Sequence, residues 1–454
     1  MSILAALLMF TVIVVIHEFG HFIFAKRNGV GVPEFSVGMG PRLITVAKGT
    51  EGFQVKFLCS QKNFENNKAW ADVTKYSLKL FPIGGSCAMV GEDEENDSED
   101  SFNTKGKWAR FTIVFAGPFF NFLLAFVLSI IVTGYMGIDI PKVDFVFDGQ
   151  PAKLAGIKEG DLIKSINGKH ISVGREVETY QQIHPLDGSD VTIVVNRDGK
   201  EMSYTFSPKY KTNLFGFSYA ANENSSTEIS AVTDGKPFQK AGIKKGAKIL
   251  SVNGTKVSTG AELKKAVEQY NDGSGNAVSF EIEQAGETKS YTVTPEPYET
   301  NTIGAVAYGR QKTGNVFTVL KYSVIEVKYW IVTTLGSLKQ LVTGNISINA
   351  LSGPVGIVDA VGSEIEESGK SGGFGAIMLY ILNMSILLSA NLGVMNLLPI
   401  PALDGGRILF ILVEAIRRKP LDREKEGYIH FAGFALLMIL MVVVMYNDIV
   451  KIIR

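Results

Sequence analysis

Four long apolar runs set the limits on what this 454-residue chain can fold into. They cover about Ile3 to Ala25, Phe111 to Met136, Phe374 to Leu398 and Tyr428 to Val450. A helix needs about 20 apolar residues to cross a hydrocarbon core, and each run has room for them. Between the second and third lies a long polar, Gly-rich stretch. The overall apolar content of 46% is ordinary only because it averages these two kinds of sequence. The first run does not read as a secretory signal. No Lys or Arg precedes it, no small-residue cleavage site is evident, and His17, Glu18 and His21 interrupt it. The expected fold is a polytopic α-helical membrane protein carrying a water-exposed insert.

Basic residues orient the spans. Lys26, Arg27 and Arg42 follow the first, and Lys105, Lys107 and Arg110 precede the second. Arg407, Arg417, Arg418, Lys419, Arg423 and Lys425 lie between the third and fourth. Both loops are therefore expected in the cytoplasm, with the termini and the central region outside. Lys451 and Arg454 oppose this only weakly. The stretch from Val316 to Leu341 is apolar but contains Lys321, Glu326, Lys328 and Lys339. It reads as an amphipathic helix on the outer membrane surface rather than a fifth span. Acidic and basic residues balance at 45 each, so nothing marks a nucleic-acid partner. The two cysteines, Cys59 and Cys87, form neither a disulfide framework nor a zinc ribbon.

The central region repeats itself. PAKLAGIKEGDLIKSINGKHI from Pro151 matches PFQKAGIKKGAKILSVNGTKV from Pro237. Each copy continues into alternating strands, from Val191 and from Val278, with a tight hairpin at Asp198-Gly199 and a corresponding Ala285-Gly286. The pattern resembles two tandem α+β PDZ domains, at 143–211 and 226–297. Such domains bind extended peptides at a sheet edge, which makes substrate or accessory proteins their candidate partners. The copies differ where the first has Asp161 and the second Ala247.

The chemistry sits in the first span. His17-Glu18-Phe19-Gly20-His21 fits H-E-x-x-H. On a helix the two imidazoles share a face and reach one metal, while Glu18 is placed to take a proton from metal-bound water. Ionisable groups in lipid are expensive and mark function. A catalytic zinc takes a third protein ligand from elsewhere. Asp404 is the candidate, in the Asn396-Leu-Leu-Pro399-Ile-Pro401-Ala-Leu-Asp404-Gly405-Gly406 break that ends the third span. Such irregular backbone belongs at membrane depth only where it lines a cavity or packs in protein. Spans one and three run the same way, so His17, His21 and Asp404 are expected at similar depth near the cytoplasmic side.

HEFGH and NLLPIPALDGG together resemble the site-2 protease family of intramembrane zinc metalloproteases. The tandem PDZ-like copies narrow the resemblance to its regulator of sigma-E protease type. Gly117-Pro118-Phe-Phe-Asn121 is similar to the family's G-P-x-x-N element, Pro82 to Gly91 to its membrane-associated β-loop, and Ser352 to Ile357 to a further family segment. The resemblance implies Zn2+ held by His17, His21 and Asp404, and Glu18 as general acid and base. It implies that Asn396 holds substrate or oxyanion. Gly84 and Gly85 of the β-loop, with Pro399 and Pro401, are further candidates for substrate contact. It also implies a bacterial cytoplasmic (inner) membrane and single-span membrane proteins as substrates, cut after a prior extracytoplasmic cleavage. The domains expected are a first core half at 1–142 with a β-loop at about 53–91, the two copies, a linker at 298–371, and a second core half at 372–454. The acidic run at 92–100 reads as a solvated loop without a role. Two rivals remain at this point: a metal transporter, in which Glu18 has no clear task, and an inactive membrane-anchored PDZ scaffold, which needs no ligand set.

Overall fold

A computed structural model describes residues 2–49, 52–60, 70, 73–92, 96–307, 309–347, 351–419 and 421–453. Parts of the expected β-loop (61–69, 71–72) and of the acidic run (93–95) lie outside the described residues. The chain divides into two units, Met1–Asp139 with Arg310–Arg454, and Ile140–Gly309.

In the first unit the apolar runs become helices, because lipid offers no partner for a free backbone group and a helix satisfies its own. They are α1 (Ser2–Arg27), α2 (Lys107–Met136), α4 (Pro354–Asn396) and α6 (Arg423–Ile453). Each contains a segment long and apolar enough to cross a membrane, and these are the four such segments among the described residues. In α6, Phe431, Phe434, Ile439, Val442 and Tyr446 remain exposed. A helix with so much outward apolar surface has lipid as its solvent. The four helices are those of a membrane protein.

Helix α4 is longer than the third apolar run. It begins at Pro354 and breaks at Gly373, whose φ of 62° lies outside helical space. The arm before the break folds against α1, where Val361 and Ile365 pack with Ala6, Met9 and Ile13. Its first turn is capped from outside the helix. Buried Asp448 of α6 accepts from the Gly353 and Gly356 amides at 3.1 and 2.8 Å. A Cβ on Gly356 would stand 2.8 Å from Asp448 Oδ1, so only glycine lets the carboxylate come this close. The helix expected on the membrane surface is α3 (Val316–Val342). It is packed along α2 and α4. Val327 meets Val132 and Ile386, and the Thr334 hydroxyl donates to Asn391. Residues 354–371 are therefore helix, packed on α1 through Val361 and Ile365, rather than a linker.

Three strands follow α1: β1 (Glu34–Gly49), β2 (Gly52–Phe57) and β3 (Lys75–Ala88), in sheet order β2-β1-β3. The sheet begins well before the expected residue 53, because β1 bends at Gly38 and Gly40 and so breaks its own alternation. Among the described residues the last stretch of β3, Gly85–Ala88, pairs on one side only, with Glu34–Val37. Helix α5 (Asp404–Arg417) follows the Pro-rich break.

In the second unit each repeat copy is a four-stranded antiparallel sheet with a helix. The strands are Leu162–Ile166, Lys169–His170, Val191–Arg197 and Lys200–Phe206 in the first copy. In the second they are Lys248–Val252, Thr255–Lys256, Val278–Gln284 and Glu287–Val293. The repeat extends to single hydrogen bonds. Asn167 and Asn253, both at positive φ, accept from the Thr192 and Ser279 amides. Where the first copy uses buried Asp161 with half-buried Arg197, the second uses one residue. Asp161 accepts from the Lys158 amide and Arg197 donates to the Gly156 carbonyl. Gln284 alone accepts from the Lys244 amide and donates to the Gly242 carbonyl. That is why Ala247 is tolerated.

The expected domain boundaries need correction. The second core begins at Phe215, not 226, with Phe217 and Tyr219 packed on it. The first core is closed by Ile303, Ala305 and Ala307, beyond the second copy in sequence. The second copy is thus inserted within the first. Lys209–Leu214 and Glu296–Asn301 pair antiparallel where the chain leaves and returns. The closing strands bear no repeat signature, so the sequence repeat marks only the shared middle of each copy.

Candidate metal centre

His17 and His21 lie on one face of α1 and are both buried. Their approach to α2 depends on two glycines. A Cβ on Gly20 would stand 2.4 Å from the Ala116 carbonyl oxygen. One on Gly117 would stand 2.3 Å from His21 Nε2. Asp404 begins α5, and the backbone that delivers it is equally tight: a Cβ on Gly405 would stand 2.2 Å from the Leu398 carbonyl oxygen.

Asp404 Oδ2 lies 3.1 Å from His17 Nε2 and 3.5 Å from His21 Nε2, and the two Nε2 atoms are 3.1 Å apart. The protonation of the rings follows from their other nitrogens. His21 Nδ1 is 2.9 Å from the Ile113 carbonyl oxygen, which can only accept. Nδ1 therefore carries the hydrogen and Nε2 is bare. His17 Nδ1 faces the Asn121 amide at 3.1 Å, while buried Asn121 Oδ1 has no partner. Turning that amide over gives Oδ1 the Nδ1 hydrogen and leaves His17 Nε2 bare as well. Asp404 Oδ2 is also buried without a hydrogen bond. Three lone pairs then face one another with no proton between them, an arrangement that a cation stabilises. A tetrahedral zinc with bonds of about 2.0–2.1 Å has ligand–ligand edges of about 3.3–3.4 Å. The observed edges of 3.1, 3.1 and 3.5 Å match that size.

The remaining expected site residues fall around this triangle. Glu18 interacts electrostatically with His17, His21 and Asp404, and one of its oxygens accepts from the Cys87 amide at 2.9 Å. That amide lies in the singly paired end of β3. Gly85 packs on α1 at Val15 and Glu18, and Gly84 sits near Val14. Asn396 Nδ2 is 3.3 Å from His17 Nε2. Pro401 packs against Gly433 of α6 and so shapes the break, whereas Pro399 is exposed. The Cys87 thiol is no rival nucleophile. Burial, followed by the Glu18 charge, pushes it up, and it stays protonated.

Three contacts carry more than their sequence context suggested. Asn121 orients His17, and its signal was present as an amide inside an apolar span. Thr11, buried in α1, donates to the Pro82 carbonyl and ties β3 to α1. Glu92, from the acidic run, pairs with Arg407 one turn after Asp404. Either Glu92→Arg or Arg407→Glu is expected to lower zinc retention and cleavage about tenfold, the lower end of effects seen when support of a metal ligand is lost. The double exchange should recover most of the loss. Equal defects in single and double variants would show that the pair does not seat Asp404.

Residues 5–60 and 64–440 match the profile of peptidase family M50, so the chain belongs to that family, the site-2 proteases. It is 30% identical to the zinc metalloprotease RasP of Geobacillus kaustophilus, over 99% of this chain and 98% of that protein. It is 32% identical to a candidate zinc metalloprotease of Clostridium acetobutylicum, over 99% and 97%. The protein is a membrane-embedded zinc metallopeptidase.

Proposed function

We propose that the enzyme hydrolyses peptide bonds in transmembrane segments of single-span membrane proteins, after an earlier cut outside the membrane. The observation that carries this is the convergence of three bare, buried ligand atoms with Glu18 beside them, on a helix that has the length and apolarity of a membrane span.

A scissile bond in a helix is shielded by the helix's own hydrogen bonds, so the segment must first unwind. The unpaired edge of Gly85–Ala88 offers strand pairing to the opened chain next to Glu18. Zinc held by His17, His21 and Asp404 would polarise the scissile carbonyl and acidify its bound water. Glu18 takes a proton from the attacking water and returns it to the departing amine. Asn396, beside His17, donates to the oxygen that gains negative charge. The two copies in the Ile140–Gly309 unit act as PDZ-like filters that admit only substrates already trimmed of an outer domain. The zinc ligands lie toward the cytoplasm and the copies outside, the orientation that the basic residues of the loops favour.

The test uses purified protein in detergent and two tagged single-span substrates, one whole and one lacking its outer domain. Cutting inside the span of the trimmed substrate is expected, lost on chelation and restored by zinc. The whole substrate should be cut only after residues 143–307 are removed. Cleavage that survives chelation would refute the metal-dependent reading, and equal cutting of both substrates by the intact protein would refute the filter.

A further inference from the structure

Helix α5 is amphipathic in the sense opposite to a helix that faces water. Toward the protein it presents Arg407, Ile408, Ile411 and Glu414. Arg407 pairs with Glu92, and Glu414 pairs with Arg110 at 2.5 Å while its carbonyl accepts from Lys107. Ile411 is in the core with Ala25, Val30 and Val114. The opposite face carries Leu409, Leu412 and Ile416, which are 42%, 48% and 82% exposed. Spacings of three and four align them in one stripe. Charges turned inward and aliphatic groups turned outward suit a hydrocarbon neighbour, not water. The helix has 14 residues and so spans only about 21 Å, too short to cross a core of about 30 Å. It ends at Arg418, which is left-handed, and Arg417, Arg418 and Lys419 are exposed with no acidic partner among the described residues.

We propose that α5 is an interfacial helix docked on anionic phospholipid. Leu409, Leu412 and Ile416 enter the boundary of the acyl chains, and Arg417, Arg418 and Lys419 meet headgroup phosphates. The consequence for activity rests on the reading of Asp404 as a zinc ligand. Because α5 starts at Asp404, the lipid that seats the helix also seats that carboxylate, and headgroup charge becomes a regulator of the metal centre.

The experiment places the full-length protein in vesicles of phosphatidylcholine alone and of equimolar phosphatidylcholine and phosphatidylglycerol. A Leu412→Trp variant reports position through quenching by brominated acyl chains, with the native tryptophans measured as background in the wild type. Extra quenching from Leu412→Trp is expected. Cleavage by the wild type should rise by up to about fivefold for each basic residue seated near the anionic surface. The triple variant Arg417→Gln/Arg418→Gln/Lys419→Gln should match the wild type in neutral vesicles and lose the gain in anionic ones. No extra quenching from Leu412→Trp would put the stripe in water or against an acidic protein partner and overturn the proposal. So would a phosphatidylglycerol gain that the triple variant keeps. If no vesicle supports cleavage, the protease reading fails while the quenching still decides where α5 lies.

Discussion

Glu18→Gln is expected to lower cleavage by about 10²–10⁴-fold, the usual contribution of a positioned acid or base, while zinc stays bound. The substitution is nearly isosteric. Glutamine keeps an oxygen to accept from the Cys87 amide at 2.9 Å, so the contact between α1 and β3 survives. The proposed zinc ligands are untouched, since His17, His21 and Asp404 form the cluster without Glu18. What is lost is a carboxylate that can hold a proton between water and leaving amine. Metal content and turnover measured on the same samples separate the possibilities. Full cleavage by the variant would remove Glu18 from the mechanism as acid and base. Loss of zinc together with activity would make Glu18 a structural residue instead.

Gly117→Ala should abolish activity by a different route, through loss of the metal. The new methyl would lie 2.3 Å from His21 Nε2, 2.5 Å from His21 Cε1 and 2.7 Å from His17 Cε1. Real contacts are never so short, so both rings must move off the triangle or α2 must withdraw from α1. Overpacking of this kind costs roughly 1–3 kcal/mol in an ordinary core. Here the displaced atoms belong to the proposed ligands, so zinc retention is the sensitive quantity and should fall by at least the 10–100-fold seen when ligand support is lost. Gly134→Ala in the same helix is the control, because a Cβ there meets nothing within 4 Å. It should retain zinc and activity, since alanine is the better helix former. Normal zinc content in Gly117→Ala would mean that the two imidazoles are not fixed against α2 as described.

The spans and the grouping of His17 and His21 with Asp404 were legible in the sequence because lipid permits so few arrangements. Twenty apolar residues have one economical use, and His17, Glu18 and His21 within such a run need a reason to be there. Asp404 was legible for a related cause, the Pro and Gly residues that break a helix at membrane depth. What escaped was set by partners distant in sequence. Asn121 stood out as an amide, but its pairing with His17 depends on the crossing of α1 and α2. Asp448 looks like an ordinary C-terminal acid until α4 presents the amides of Gly353 and Gly356 to it. Strand β1 was missed because glycines at its bend disrupt the alternation that marks a strand. The acidic run was read as solvent-facing by composition, although Glu92 belongs with Arg407.

The insertion of one repeat copy inside the other also dictates how this region can be dissected. Leu214 and Glu296 face each other across the paired ribbon where the inner copy departs and re-enters. The inner copy is therefore a cassette with adjoining ends, removable by joining the chain across that pair. The outer copy has no such independence. A conventional truncation after Phe206 discards Ile303, Ala305 and Ala307 and leaves its core open on one side. The outer copy alone folds only if its late strand is spliced back onto its early ones.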